Sequence, residues 1–189
     1  MLLKSLIGIT VVVAGLVFFL LSTIHADPVK QGTDAPITPA VDEEGKPFSL
    51  EETYKKGLTL VYFYPKADTP GCTAQACAMR NEWTDMQTLG IQVVGVSMDK
   101  PESQKAFKEK YKLPFPLLAD SEGKVVAAFG VATIRVGFAT RQSFLVKDGK
   151  IVWHDADVKP DTHLDNVKKA VAALNAPAAP APSAAPKTT

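Results

Sequence analysis

The 189-residue chain has few cysteines, few histidines and almost no excess charge, and each shortage argues against a class of protein. Two cysteines, Cys72 and Cys77, cannot form the disulfide framework that stabilises small secreted domains. There is no third cysteine, and His154 and His163 lie far from the pair in sequence, which argues against a structural zinc site. A net charge of +1, without a dense basic cluster, argues against binding to nucleic acid.

The longest apolar run is at the start of the chain. Residues 6–24 are almost wholly apolar and follow Lys4 and the amino terminus, which supply a positive flank. A core helix would show a polar face, and this run has none. We therefore expect residues 1–26 to be an export segment, either a signal peptide cleaved after Ala26 or an uncleaved membrane anchor. Both interpretations place the domain in the periplasm or cell envelope.

The other end of the chain is poor in residues that could form a core. Residues 176–189 consist mainly of alanine, proline and serine, so we expect a flexible tail or tether. The remaining residues, 27–175, have the length of one ordinary domain.

Hydrophobic periodicity divides this domain into alternating strands and helices. Residues 58–64 and 91–98 are apolar, β-branched runs typical of buried strands. A helix is expected between them, from Cys72 to a cap at Gly90, with Trp83 on its apolar face. The other expected elements are a short strand and turn at 48–57, a helix at 101–112, a short strand in 113–120, a short helix at 122–129, a hairpin at 142–154 and a final helix with a capping box at 162–165.

The order of these elements predicts the fold class. Parallel crossovers followed by an antiparallel hairpin predict an α/β domain with a mixed central sheet and helices on both faces. The thioredoxin fold has this arrangement.

Both cysteines lie in the segment 65–80, which reads PKADTPGCTAQACAMR. Residues 68–71 have turn chemistry, and the alanine-rich residues after Cys72 favour a helix. We therefore expect Cys72 in the first turn of a helix that follows a strand. Unpaired backbone N–H groups and the helix dipole stabilise a thiolate there, as a nucleophilic cysteine requires.

The spacing of the two cysteines restricts how they react with each other. On an intact helix, residues five apart have Cα atoms separated by roughly 8–9 Å, whereas a disulfide requires less than about 7 Å. Cys72 and Cys77 can therefore be bonded only if the helix unwinds locally. This argues against plain thiol–disulfide exchange and favours a cysteine that first reacts with another molecule and is then resolved.

The motif Pro65-x-x-x-Thr69-x-x-Cys72 resembles the active-site motif of the peroxiredoxins. The longer stretch YFYPKADTPGCTAQACAMR is similar to the peroxiredoxin Q or bacterioferritin-comigratory subgroup, whose resolving cysteine lies five residues on. The resemblance covers residues 30 to 174 or so and excludes the export segment and the tail. It is supported by LPFPLLAD (113–120), RQSFLVKDGKIV (141–152) and DVKPDTHLDNV (157–167).

The resemblance implies a thiol-dependent peroxidase that reduces hydrogen peroxide and organic hydroperoxides. Cys72 would be the peroxidatic cysteine that becomes a sulfenic acid, and Cys77 would resolve it as a Cys72–Cys77 disulfide. A thioredoxin-like protein would then reduce the disulfide. The resemblance implies a monomer, with no metal or organic cofactor.

Four further residues receive roles from the same resemblance. Thr69 would hydrogen-bond the peroxide and the thiolate, and Arg141 would stabilise the thiolate and the charge that develops on oxygen. Pro65 and Pro70 would shape the pocket, and Pro70 would shield Cys72 from water.

Two other interpretations remain open at this point. One is a thiol–disulfide oxidoreductase of the cell envelope, although the chain lacks a CxxC motif. The other is a metal-binding module of the thioredoxin fold, for which only the two histidines beyond the export segment, His154 and His163, could supply a third ligand. We expect His163 to be a helix-start residue and assign no role to His154.

Overall fold

A computed structural model describes residues 23–24, 27–134 and 137–176. The helices in this part of the chain are α1 (Leu50–Tyr54), α2 (Pro70–Asn81), α3 (Trp83–Thr88), α4 (Pro101–Tyr111), α5 (Lys124–Ala128) and α6 (His163–Asn175). The strands are β1 (Thr23–Ile24), β2 (Ala40–Val41), β3 (Pro47–Phe48), β4 (Thr59–Phe63), β5 (Gln92–Ser97), β6 (Leu117–Ala119), β7 (Thr133–Ile134), β8 (Phe138–Ala139), β9 (Gln142–Lys147) and β10 (Lys150–Asp155).

The central sheet has five strands in the order β10-β9-β4-β5-β6. β4, β5 and β6 are parallel, and β9 runs antiparallel to both β4 and β10. The turn between β9 and β10 has positive φ at Asp148 (52°) and Gly149 (73°), as a tight Asp-Gly hairpin requires. The expected mixed sheet and hairpin are confirmed.

Side chains of β4 alternate between two hydrophobic cores, one on each face of the sheet. Leu60 and Tyr62, together with Tyr64 just after the strand, lie in the core that contains residues of α2, α4 and α6. Val61 and Phe63 point into the other core, which contains residues of α1 and α5. This period of two is the pattern of a central strand buried on both faces. Helices therefore cover both faces of the sheet, as the sequence predicts.

The helix that carries the cysteines differs from the expected one in two ways. It begins at Pro70, two residues before Cys72, because proline is favoured at the first helical position. It also ends at Asn81, since the backbone of Glu82 (φ −101°, ψ 18°) leaves the helical range before α3 begins. The prediction of one helix reaching to Gly90 is therefore wrong, because α2 and α3 are two separate helices.

Two predictions about shorter segments are also wrong. The segment after β3 forms the helix α1 instead of a turn, and the Ser49 side chain caps it by accepting a hydrogen bond from the Glu52 N–H. Thr162, expected to begin a capping box, makes no side-chain capping bond. Its φ of −112° and ψ of −3° are not the extended conformation that a capping side chain requires.

The expected export segment, residues 1–26, lies outside the described residues except for β1, which pairs antiparallel with β7. The next residues are described and lie against the domain. The Val29 N–H donates to the Phe129 carbonyl, and a Cβ added to Gly130 would lie 1.9 Å from the Asp27 carbonyl oxygen. No helix among the described residues has both the length and the hydropathy to cross a bilayer. The expected tail also lies outside them from residue 177.

Candidate active site

The start of α2 combines a turn, a proline and the first buried cysteine. Thr69 is the residue before the helix, and its carbonyl accepts the hydrogen bond of the Thr73 N–H at 2.8 Å. This is the first backbone hydrogen bond of the helix. Pro70 has no N–H, so the N–H groups of the first turn that lie before this bond are those of Gly71 and Cys72. They concentrate positive potential beside the Cys72 thiol.

The loop that leads into α2 is attached to neighbouring elements. The Ala67 N–H donates to a carboxylate oxygen of Asp99 at 2.7 Å, beyond the end of β5. Asp68, with φ of 57°, accepts from Lys110 at 2.7 Å and from the Tyr111 hydroxyl at 2.7 Å, both in α4. These contacts fix the position of the first turn of α2 relative to the sheet.

Cys72 and Cys77 are both free, and both lie on α2 while that helix is intact. Cys72 is 1% exposed and packs in the same core as Tyr62. Cys77 is half-buried. The structure is therefore the reduced state that the spacing argument describes, with the helix formed and the thiols apart.

Arg141 reaches α2 from the end of the sheet, immediately before β9. Its Nη1 donates to the side-chain amide oxygen Oε1 of Gln75 at 2.8 Å. Its Nη2 lies so close to Gly71 that a Cβ added there would be 2.9 Å from it. A side chain at position 71 would therefore displace the guanidinium, and the absence of one lets a cation approach the residue before Cys72.

Gln75 belongs to a buried chain of hydrogen bonds that starts at Arg141. The Gln75 side-chain nitrogen lies 3.1 Å from Nδ1 of His163, and Nε2 of His163 lies 2.8 Å from the Ser143 hydroxyl oxygen. The other three residues of this hydrogen-bond chain, Gln75, His163 and Ser143, are each at most 1% exposed. Burial lowers the pKa of His163 from 6.5 to about 4. The negative charge of Asp155 acts to raise this pKa, and the positive charge of Arg141 acts to lower it.

Gln75 and His163 are the residues of the site that sequence reasoning missed. His163 does begin α6, as expected, but its ring is buried between α2 and β9. No local sequence pattern indicates that His163 contacts Gln75 or Ser143, because these residues are 88 and 20 positions away from it along the chain. The helical spacing of three residues between Cys72 and Gln75 is the one available signal, since it places both on the same side of α2.

The remaining expected residues surround the start of α2. The Thr69 hydroxyl donates to the Lys66 carbonyl at 3.0 Å, and Thr69 is half-buried. Pro70 is exposed, and Pro65 is half-buried. The expected roles of these three residues rest on the motif that they share with the peroxiredoxins.

A cavity of about 530 Å³ opens beside Arg141. Its wall includes Pro65 and Arg141, which the sequence assigns to the site, and the loop before α6. Much of the remaining wall is apolar: Ala132, Ile134, Ala139, Val158 and Pro160. The cavity can therefore receive an apolar group next to the guanidinium.

The two histidines of the described residues, His154 and His163, are engaged in ways that do not suit metal binding. Both ring nitrogens of His163 have hydrogen-bond partners. The His154 ring stacks on Phe144 with centroids 4.3 Å apart, and its Nε2 lies 2.9 Å from the side-chain amide oxygen Oε1 of Gln142. Within residues 27–134 and 137–176, no three His, Cys, Asp or Glu side chains are grouped as ligands for a metal ion.

Comparison with known proteins agrees with the resemblance seen in the sequence. A sequence profile of the AhpC/TSA family matches residues 31–154. The chain is 38% identical over 156 residues to a chloroplastic peroxiredoxin Q of Sedum lineare, covering 81% of this chain and 83% of the relative. It is also 38% identical over 148 residues to a putative peroxiredoxin bcp of Coxiella burnetii, covering 74% of this chain and 96% of the relative.

A solved structure extends the likeness from sequence to fold. The peroxidoxin BcpB of Mycobacterium tuberculosis superposes with a TM-score of 0.73 at 29% identity, covering 78% of this chain and 99% of the other. Its fold is the mixed sheet with helices on both faces described above. The chain therefore belongs to the AhpC/TSA family, as a thiol-dependent peroxidase of the peroxiredoxin Q or bacterioferritin-comigratory group with a thioredoxin-like fold.

Proposed function

We propose that Cys72 is the nucleophile of the peroxidase reaction. The observation that carries this proposal is the position of a free, buried cysteine in the first turn of α2, with the Arg141 guanidinium against the preceding Gly71. The Cys72 thiolate attacks one oxygen of the hydroperoxide and the O–O bond breaks. Cys72 becomes a sulfenic acid, and the other oxygen leaves with the electron pair and is protonated to water or an alcohol.

Charge on the reacting atoms is stabilised from two directions. The N–H groups of Gly71 and Cys72 supply donors at the helix start, and Arg141 supplies a fixed positive charge. Thr69 would release the Lys66 carbonyl and donate to the peroxide instead. Pro65 and Pro70 would shape the pocket, and Pro70 would shield the Cys72 thiol from water.

We assign the second step to Cys77. After local unwinding of α2, the Cys77 thiolate attacks the Cys72 sulfur, a Cys72–Cys77 disulfide forms, and the sulfenic oxygen leaves as water. A dithiol protein of the thioredoxin type then reduces this disulfide by exchange. Support for unwinding comes from the intact helix in the reduced state, where the two residues lie on one helix five positions apart.

The substrates proposed are hydrogen peroxide and organic hydroperoxides. The apolar wall of the cavity beside Arg141 supports the second class, because it offers a place for an alkyl or aryl group. Replacing Ala156 on the rim of this cavity by phenylalanine should reduce kcat/KM for cumene hydroperoxide about tenfold and leave hydrogen peroxide within about twofold. Equal losses for the two substrates would contradict a role of the cavity in binding the organic group.

The peroxidase assignment of each cysteine is tested by steady-state turnover with two reductants. With a thioredoxin-type protein as reductant, Cys72→Ser and Cys77→Ser should both lose hydroperoxide reduction. With excess dithiothreitol, Cys77→Ser should keep turnover, because the small thiol can attack the sulfenic acid directly, whereas Cys72→Ser should remain inactive. Full peroxidase activity of Cys72→Ser would contradict the proposal.

The location of the protein is a separate proposal. The apolar segment of residues 6–24 with its positive flank supports export to the periplasm or cell envelope, where an envelope thioredoxin-like protein would be the reductant and the enzyme a monomer. N-terminal sequencing of protein from membrane and soluble fractions separates cleavage after Ala26 from retention of the segment. Recovery of all the protein in the cytoplasm with its first residues intact would contradict export.

A further inference from the structure

We propose that His163 is a positioning residue of the peroxidase site, whose ring holds the Gln75 amide in the orientation that offers its oxygen to Arg141. The inference rests on the proposed function of Cys72 and Arg141. His163 acts through Gln75 and need not contact the peroxide.

The direction of the Gln75 amide follows from the chemistry of its partner. A glutamine amide has an acceptor oxygen on one side and a donor NH2 on the other, and the two differ little in shape. Arginine has only donors, so the Arg141 contact at 2.8 Å requires the oxygen. The Gln75 NH2 group must therefore face the opposite side, toward His163.

This orientation fixes the protonation of His163. The Gln75 NH2 group can only donate across the 3.1 Å contact, so Nδ1 of His163 must be an unprotonated acceptor. Because the neutral ring then carries its proton on Nε2, that nitrogen donates to the Ser143 oxygen at 2.8 Å. The result is one directed chain of donors from Arg141 to Ser143 across α2, α6 and β9.

Burial makes the His163 acceptor hard to replace. Gln75 and Ser143 are fully buried and His163 is 1% exposed, so bulk water does not reach the Gln75 NH2 group. Without an acceptor, that group would be an unpaired buried donor, which costs free energy. The amide would then rotate so that its NH2 group could bond to another acceptor. A rotated amide presents NH2 to the guanidinium and removes the acceptor that keeps Arg141 beside Gly71.

The first test is kinetic and uses Cys77→Ser as the parent, so that only the oxidation of Cys72 is measured. His163→Leu should lower the second-order rate constant with hydrogen peroxide about tenfold, the effect of losing roughly one hydrogen bond. His163→Asn keeps an acceptor near the position of Nδ1 and should stay within about threefold of the parent.

Rescue distinguishes positioning from a merely structural role. Gln75→Glu offers Arg141 an acceptor in either orientation, because both carboxylate oxygens accept. Adding it to His163→Leu should therefore restore the rate to within about threefold of Gln75→Glu alone. The matched control is Val167→Ala, at a fully buried position one turn along α6, which should lower thermal stability without changing the rate constant.

A spectroscopic test does not depend on activity. Nitrogen-15 NMR of the reduced protein at neutral pH should show His163 neutral, with the proton on Nε2 and none on Nδ1. A proton on Nδ1, an unchanged rate in His163→Leu, or failure of Gln75→Glu to rescue would each overturn the inference. If the Cys77→Ser parent itself does not react through Cys72, the proposed function fails instead, and the NMR result still decides the state of His163.

Discussion

At the scale of single residues, the absence of a side chain at Gly71 is what lets the Arg141 guanidinium approach the residue that precedes Cys72. A methyl group there would lie 2.9 Å from Nη2, and the long arginine side chain would move away rather than the helix backbone. Gly71→Ala should therefore lower the rate constant of Cys72 oxidation about tenfold. Thermal stability should be unchanged or slightly higher, because alanine favours a helix more than glycine does. An unchanged rate constant would show that the close approach does not matter.

Tyr62 carries a buried hydroxyl with no hydrogen-bond partner among the described residues. Burial raises its pKa, and Tyr64, Cys72 and Cys77 reinforce the shift. A buried hydroxyl without a hydrogen bond costs stability. Tyr62→Phe removes that hydroxyl and should therefore raise the free energy of unfolding by roughly 1 kcal/mol in urea titration. Tyr64→Phe is the matched control and should lower it, because the Tyr64 hydroxyl bonds to Gln104. A loss of stability in Tyr62→Phe would contradict this account of the hydroxyl.

At the scale of elements, the proposed cycle requires α2 to be stable enough to hold Cys72 in place and able to unwind between the cysteines. Its far end is attached: Arg80 donates to the Tyr111 carbonyl at 2.7 Å, and Glu82 forms an ion pair with Lys168 at 2.7 Å. The break at Glu82 separates α2 from α3, so unwinding need not extend beyond these contacts. Unwinding is therefore expected in the first turns only.

Ala74 offers a direct test of this local unwinding. It is an exposed residue of α2 between the two cysteines, so Ala74→Gly should cost the helix about 1 kcal/mol and speed disulfide formation about fivefold where unwinding limits that step. The control Ala106→Gly makes the same change at an exposed position of α4 and should leave that rate unchanged. Stopped-flow mixing with excess hydrogen peroxide measures the step. Equal rates in the two variants would contradict unwinding of α2 as part of the cycle.

The sequence predicts the elements that have strong local signals and misses those that depend on distant contacts. β4, β5 and the β9–β10 hairpin follow from apolar runs and the Asp148-Gly149 turn. α1 was missed although Ser49 and Glu52 carry its capping signal, because the segment is short and has little apolar periodicity. The break at Glu82 has no comparable local mark, since neither glycine nor proline occurs there.

The same distinction applies to the site. Cys72, Cys77, Thr69 and Arg141 are predicted from motifs, and the structure places Arg141 against the start of α2. The chain from Arg141 through Gln75 to His163 could not be predicted, because it depends on how α6 packs against α2 and β9. Tertiary packing decides such contacts, and residue spacing along one segment carries no information about them.

At the scale of the whole molecule, the buried neutral His163 connects stability to pH. The unfolded chain takes up a proton on His163 near pH 6.5, whereas the folded protein does so only near pH 4. The unfolded state therefore binds more protons between these values, and the free energy of unfolding should fall by up to about 3 kcal/mol as the pH is lowered through this window.

Comparison with His163→Asn isolates this contribution in urea titrations at several pH values. Asp120 acts in the opposite direction, because burial raises its pKa and the folded protein gains stability as it is protonated. Both proteins contain Asp120, so their difference reports His163 alone. The decline between pH 6.5 and 4 should be smaller in His163→Asn. Equal declines would contradict a buried neutral imidazole.

The most direct test of the central claim is a single-turnover measurement of peroxide consumption by reduced protein without any reductant. The account predicts that the unmodified chain consumes an equimolar amount of hydrogen peroxide and that mass spectrometry then finds Cys72 and Cys77 joined in a disulfide. Cys77→Ser should consume the same amount and stop at a sulfenic acid on Cys72, and Cys72→Ser should consume none. Equimolar consumption by Cys72→Ser would contradict the assignment of Cys72 as the residue that reacts with peroxide.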